Sequence, residues 1–253
     1  MKRISVVLLT LAIFAGLASL VFAKPERNLR LPSSARKVSE NVYYLGKAAN
    51  GAQGYAFIHR RDAEAKPPWA GGGDAKAPKC YGFLANGARW KTTEAYVTDI
   101  EDSATETSLE TWDSQVGFDL FGTRDFSAIV DGADMVTPDG KNELYFGAIE
   151  DPGVIGVTIV WGYFGGPPQT RRLIEWDMIL DDVDFAWGDV TANPTVMDYQ
   201  NILTHELGHA AGLNDQYSSD CSEVTMYGYG TEGEIKKRDL APQDITGIKE
   251  LYR

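Results

Sequence analysis

Two histidines four residues apart, His205 and His209, stand in the stretch Thr204-His205-Glu206-Leu207-Gly208-His209. On a helix, residues four apart lie one above the other on the same face, so both imidazoles can reach one ion. Glu206 sits beside the first, where its carboxylate can touch a metal-bound water without binding the metal. Gly212 follows and permits a sharp turn, and Asp215 comes three residues later, where the returning chain can offer a third ligand to the same ion. The pattern therefore supplies a zinc ligand set, His205, His209 and Asp215, with Glu206 as the general base of a hydrolytic reaction. Two plainer readings stand beside it. The histidines of a surface helix can simply face water, and Asp215 can be a polar turn residue, leaving Asp220, Glu223 or a second water to complete the site. The chain holds only three histidines, and two of them are here. The third, His59, lies between Ile58 and the basic pair Arg60-Arg61 and reads as a strand-end residue rather than a ligand.

These residues need a scaffold. The spacing predicts a helix from about Asp198 to Ala211, stopped at Gly212, and a last helix from about Pro242 to Tyr252 with proline in its first turn. Upstream, Ser103 and Glu106 form a capping-box pattern before Leu109, Trp112 and Val116, which mark one helix face. Strands are expected at Tyr96–Thr98, Phe126–Val130, Leu144–Phe146 and Val154–Trp161. Ile174, Trp176, Met178 and Leu180 alternate with Glu175, Asp177 and Asp181, which predicts a half-buried strand. Strand, helix, several strands, helix, loop and helix, in that order, indicate an α+β layer. Two further short strands, Val42–Leu45 and Gly54–Ile58, flank a turn in the forepart. The Pro- and Gly-rich stretch Lys66-Pro67-Pro68-Trp69-Ala70-Gly71-Gly72-Gly73 reads as a linker, so a boundary is placed near residue 75.

The chain has 253 residues, 43% of them hydrophobic, which places it among globular proteins. Lys2 and Arg3 precede an apolar run from Ile4 to Phe22, with small residues at the exit, and this predicts a signal peptide over residues 1–23. An uncleaved membrane anchor is the alternative, since the run approaches a spanning length. Either reading puts the rest of the chain outside the cytoplasm, with a secreted protein as the expectation. From Lys24 to Lys79 there are 11 basic and 5 acidic residues, against 11 basic and 31 acidic from Cys80 to Arg253. Such an acidic body argues against nucleic acid as a partner and for a soluble monomer. The basic forepart, residues 24–75, has the charge of an electrostatically docked pro-segment ahead of a catalytic domain at 76–253.

Taken together, the zinc motif with Gly212 and Asp215 resembles the elongated motif of metzincin proteases, specifically the matrixins (peptidase family M10). Asp198-Tyr199-Gln200-Asn201-Ile202-Leu203 leads into it as in that family, and Val224-Thr225-Met226-Tyr227 is similar to its Met-turn. Asp244-Ile245-Thr246-Gly247-Ile248 resembles the closing helix, and Glu175-Trp176-Asp177-Met178 the edge strand along which that family lays its substrate. Asp139-Gly140-Lys141-Asn142-Glu143-Leu144 is also similar to segments of bacterial and archaeal matrixin-like chains. Most matrixins carry histidine where this chain has Asp215, whereas snapalysins carry aspartate.

The resemblance implies a metzincin-type catalytic domain: a mixed twisted sheet, an active-site helix and a C-terminal helix. It implies a zinc endopeptidase that cleaves through a zinc-bound water and Glu206, with the peptide substrate extended along a strand near Asp177–Leu180. It further implies that Tyr227–Leu240 walls the pocket beyond the cut. Structural calcium is a second implication, in the acidic loops at Asp131, Asp134 and Asp139 and at Asp181, Asp182, Asp184 and Asp189, where a solvated surface is the alternative. Cys80 either pairs with Cys221, as an oxidising compartment favours, or plugs the zinc as a pro-segment cysteine can in matrixins. Two rival functions remain open: a zinc-binding adhesion or inhibitor module without proteolysis, and a zinc amidase acting on cell-wall peptides.

Overall fold

A computed structural model of the chain describes residues 27–61 and 79–253. The signal segment, and the linker with the boundary near residue 75, lie outside the described residues. The forepart supplies β1 (Asn28–Leu29), β2 (Arg36–Ser39), β3 (Val42–Lys47) and β4 (Gln53–Arg61). After the linker come β5 (Glu94–Thr98), α1 (Ala104–Asp113), β6 (Phe121–Arg124), β7 (Asn142–Ile149), β8 (Val154–Tyr163) and β9 (Arg172–Asp181). The chain then forms β10 (Trp187–Gly188), β11 (Met197–Asp198), α2 (Tyr199–Ala210), β12 (Tyr229–Gly230) and α3 (Pro242–Leu251).

One mixed sheet runs in the order β2-β3-β4-β8-β9-β7-β5-β6, with β1 added to β7 and β12 added to β4. The strands β9, β7, β5 and β6 run parallel, whereas β8 is antiparallel to β9 and to β4. Helices α1 and α2 pack on one face. There Leu109 and Trp112 meet Ile202, Leu203 and Leu207 over Trp176, Met178 and Leu180 of β9. The other face collects Ile58, Val157, Ile159, Trp161 and Ile179. Because side chains alternate along a strand, β9 from Glu175 onward feeds the helical core with its even-numbered residues and the far face with its odd ones, whereas a register shift before it puts Leu173 in the helical core and Ile174 on the far face. This is the expected α+β class. The sheet is continuous from the forepart into the rest of the chain, since β4 pairs with β8 from Gln53↔Gly162 to Arg60↔Val154.

Several expectations need correction. Phe126–Val130 forms no strand; Phe126 and Ile129 are 80% and 78% exposed in a loop, and the strand beside β5 on that side is β6. Ser103 makes no side-chain cap; Asp102 Oδ1 accepts from the Ala104 amide at 2.9 Å, so an Asx-type turn replaces the capping box. Strand β9 is buried on both faces rather than one. Its Glu175 and Asp177 are covered by the segment before β7, whose Gly140 amide donates to Glu175 and whose Asp134 amide donates to Asp177 at 2.8 Å. Nor does β9 form an edge, since β7 and β8 flank it. On its other side β8 pairs with β4, so it forms no edge either.

The two cysteines are joined. Cys80 and Cys221 form a disulfide with 5.3 Å between their Cα atoms, which ties the entry of the second part to the loop after Asp215 and leaves no thiol to act on a metal. Among the described residues no helix is long and apolar enough to cross a membrane.

Candidate metal centre

Helix α2 begins at Asp198, whose Oδ1 accepts from the Asn201 amide at 2.9 Å and from Arg238 Nε at 2.8 Å. This N-cap satisfies an otherwise free helical amide and fixes where the helix starts. Along its length α2 is buried, and two tryptophans grip its carbonyls: Trp112 Nε1 donates to Thr204 and Trp90 Nε1 to Ala210, each at 2.8 Å. The helix ends where Gly212 adopts φ of 101°, a left-handed conformation that glycine reaches without penalty. The chain then doubles back, and Asp215 returns beneath His205 and His209.

The three sequence-assigned ligands come together. Asp215 Oδ1 lies 3.2 Å from His205 Nε2 and 3.3 Å from His209 Nε2. Each histidine is oriented through its other nitrogen, His205 Nδ1 to the Thr225 carbonyl at 2.7 Å and His209 Nδ1 to the Leu213 carbonyl at 3.0 Å. With Nδ1–H donating, the neutral tautomer leaves the Nε2 lone pair free to bind a metal. Neither His205 Nε2 nor Asp215 Oδ1 has an aligned hydrogen-bond partner, although both are buried. Buried polar atoms are rarely left so. Tetrahedral zinc bonds of about 2.0–2.2 Å set neighbouring donors roughly 3.3–3.5 Å apart, close to the observed spacing. The donor set therefore fits zinc.

Electrostatics agree. Burial holds the His205 imidazole neutral, with a pKa pushed down to about 3. Burial also opposes charge on His209, but the Asp215 carboxylate beside it prevails and raises its pKa. Asp215 likewise overcomes its burial, and His209 and His205 hold it well below the usual carboxylate range. The site thus demands positive charge at the point where the three donors meet, and a dication meets that demand better than a shared proton.

Glu206 is fully buried beside the ligands, with Oε2 accepting from Thr158 Oγ1 at 2.5 Å. Below the ligands, Met226 packs so closely under Gly208 that an added methyl group there would overlap its sulfur and the Trp112 ring. Asp244, on the first turn of α3, accepts from the Thr225 amide at 2.8 Å and from the Met226 amide at 3.3 Å. It thereby sets the Thr225 carbonyl that orients His205. Tyr217 donates to Asp215 Oδ2 at 2.8 Å and fixes the carboxylate from behind.

Two further residues reach the site, His59, which the sequence reads only as a strand-end residue, and Lys237, for which it suggests no role. His59 of β4 is buried against the site: its Nδ1 lies 2.8 Å from Glu206 Oε1, and its ring centroid is 4.0 Å from that of His205. Lys237 is also fully buried, donating to the carbonyls of Tyr227 at 2.7 Å and Tyr229 at 2.6 Å, with His59 Nε2 at 3.2 Å. The signal for His59 was its alternation with Tyr55 and Phe57, which puts three rings on one strand face. The contact with Glu206 spans 147 positions and has no local signature.

Residues 167–253 match the family model of the matrixin peptidases, a stretch that holds β9, α2, the turn at Met226 and α3. No curated protein matches the chain.

Proposed function

We propose that this chain, matrixin-like over residues 167–253, is a secreted zinc endopeptidase that hydrolyses extended peptide substrates. The observation that carries the reading is the meeting of His205 Nε2, His209 Nε2 and Asp215 Oδ1 within 3.2–3.3 Å, with a buried carboxylate, Glu206, alongside. His205, His209 and Asp215 would hold zinc, which when bound supplies Lewis-acid activation of water and of a peptide carbonyl. Glu206 accepts the attacking water's proton and later passes it to the leaving amine. The Thr158 hydroxyl holds the other oxygen of that carboxylate, and Tyr217 and the Thr225 carbonyl keep the ligands from turning. A purely structural metal site has no use for Glu206 in this place. Export is supported by Lys2 and Arg3 ahead of the apolar run to Phe22, and by two cysteines joined in a disulfide.

A structural calcium ion belongs to the same proposal. Asp134, Glu175 and Asp177 offer carboxylate oxygens within 4.8 Å of one another, and Glu175 Oε1 is buried without a partner. Oxygen-only ligands of this kind suit a hard cation.

The test is metal analysis joined to a peptide-library digest. The full chain should bind one zinc, His205→Ala and His209→Ala should lose it, and the chain nicked between residues 62 and 78 should cleave peptides until zinc is chelated. Failure to bind zinc after reconstitution would remove the reading.

A further inference from the structure

We infer that the Cys80–Cys221 disulfide closes a clamp around Asp215, so that the affinity of the site for zinc depends on that bond. The inference rests on the zinc assignment above and not on proteolysis. Asp215 is the ligand that no helix or strand carries, yet its side chain is only 2% exposed. A carboxylate buried so deeply is costly to hold without its cation. In the metal-free protein something other than the ion must therefore keep Asp215 beneath the histidines.

Backbone on both sides does so. On one side the Leu84 amide donates to the Gly212 carbonyl at 2.9 Å, and the Asn214 amide to the Gly82 carbonyl at 3.0 Å. Phe83 and Leu213 form an antiparallel bridge there, and Asn214 Nδ2 donates to the Phe83 carbonyl at 2.9 Å. On the other side Gln216 and Tyr227 form a parallel bridge. The Gln216 amide donates to the Met226 carbonyl at 2.8 Å, and the Gly228 amide to the Gln216 carbonyl at 3.0 Å. Asp215 thus rides on the middle one of three short rows, 82–84, 212–216 and 226–228.

The disulfide joins the two outer rows across the middle one. Cys80 lies just before the first row, and Cys221 lies in the turn that leads to the third. Both are buried, whereas Ser218, Ser219 and Asp220 ahead of Cys221 are exposed. Cys80 and Ala85, on either side of the first row, hold left-handed backbone at φ of 54° and 39° without being glycine. Such conformations persist only where the surroundings impose them, and at Cys80 the bond to Cys221 does so. Without that bond the first row relaxes, the Gly82 carbonyl parts from the Asn214 amide, and Asp215 turns to water. Zinc then meets two imidazoles and has to order its third ligand, and a donor that is not held in advance binds more weakly.

The experiment uses the full chain, with zinc affinity measured by competition with a chromophoric chelator. Cys80→Ala combined with Cys221→Ala removes the bond and leaves no thiolate that could itself take zinc. This variant should bind zinc roughly 10–100-fold more weakly than the parent. In an Asp215→Ala chain the same pair of substitutions should change affinity by less than about twofold, because the ligand it positions is gone. Should the cysteine variant not fold, the folded, zinc-loaded chain is reduced with a phosphine instead. Zinc release should then quicken as thiols appear in the parent, and should not quicken in Asp215→Ala. An equal loss with and without Asp215 would show that the bond supports the fold at large, and would overturn the clamp. Unchanged affinity or release in the parent once the bond is gone would overturn it too, with the zinc assignment left standing. No zinc in the parent chain would remove that assignment, and the clamp with it.

Discussion

His59 Nδ1 lies 2.8 Å from Glu206 Oε1, while Lys237 Nζ approaches the other ring nitrogen, Nε2, at 3.2 Å. The two contacts together assign the proton. An ammonium can only donate, so Nε2 must accept, and the proton must sit on Nδ1 facing the carboxylate. Burial, with Lys237 adding to it, holds the His59 pKa well below the ordinary value, so the ring is neutral. Lys237 is itself pushed down to about 8 by burial, and two backbone carbonyls keep its charge satisfied. The buried lysine is therefore the group that turns His59 into a donor toward Glu206.

Glu206→Gln should separate binding from chemistry. The amide keeps the shape of the side chain but cannot take a proton, and general-base catalysis is commonly worth about 10²–10⁴-fold. Zinc content should stay at one per chain while kcat/KM falls by roughly 10³-fold. Metal analysis and a peptide assay on one sample read both quantities. Full activity in this variant would take Glu206 out of the reaction.

The third ligand can be tested through the residue behind it. Tyr217 holds Asp215 Oδ2 at 2.8 Å and leaves Oδ1 turned toward the histidines. Loss of such a supporting hydrogen bond typically weakens metal binding about 10–100-fold. Tyr217→Phe should therefore bind zinc roughly 10-fold more weakly by competition with a metal indicator. Asp215→Ala, which removes the ligand itself, should be weaker still. Unchanged affinity in Asp215→Ala would pass the third position to another group.

What the sequence revealed about this molecule followed the range of each interaction. The ligand histidines, Gly212 and Asp215 lie within eleven residues, so helix periodicity and one turn suffice to bring them together. The end of α2 and the start of α3 were likewise marked by glycine and proline. Pairing partners are a different matter, because period-2 alternation says which face a residue is on but not which strand lies beside it. Hence the alternation within β9 does not reveal that β7 and β8 cover both its edges, and the meeting of β4 with β8 has no local signal. Phe126–Val130 had strand-like composition, yet its apolar side chains find no surface to cover and stay in a loop. Asp102 displaced Ser103 at α1 because a neighbouring residue can satisfy the same amide.

Gly208 should tolerate no side chain. It sits between the two ligand histidines on the face of α2 that rests on Met226 and Trp112, where there is no space for a Cβ. Overpacking of this sort costs about 1–3 kcal/mol, even though alanine is the better helix former. Gly208→Ala should lower Tm by several degrees in a thermal scan of the zinc-loaded protein. A Tm equal to or above that of the parent would show that Met226 yields easily and does not define the floor of the site.

The acidic cluster on the far face of β9 should make stability depend on pH in a direction that calcium reverses. Burial, reinforced by Asp134 and Asp139, raises the Glu175 carboxyl to about 8. In the unfolded chain it ionises at about 4.3. Between those values the folded protein holds a proton that the unfolded chain has released, so folding is favoured by acid. The contribution is fully present below the lower value, declines as pH rises toward about 8, and is level above it. Asp177 is raised by burial as well and acts in the same sense. A calcium ion among Asp134, Glu175 and Asp177 removes the cost by pairing with the ionised carboxylates. Calcium-free, zinc-loaded protein should therefore lose Tm between pH 5 and pH 8. Millimolar calcium should restore most of that loss at pH 8 and little at pH 5. Glu175→Gln should flatten the slope and abolish the calcium response. A calcium response of equal size at both pH values, or one that survives Glu175→Gln, would place the ion elsewhere.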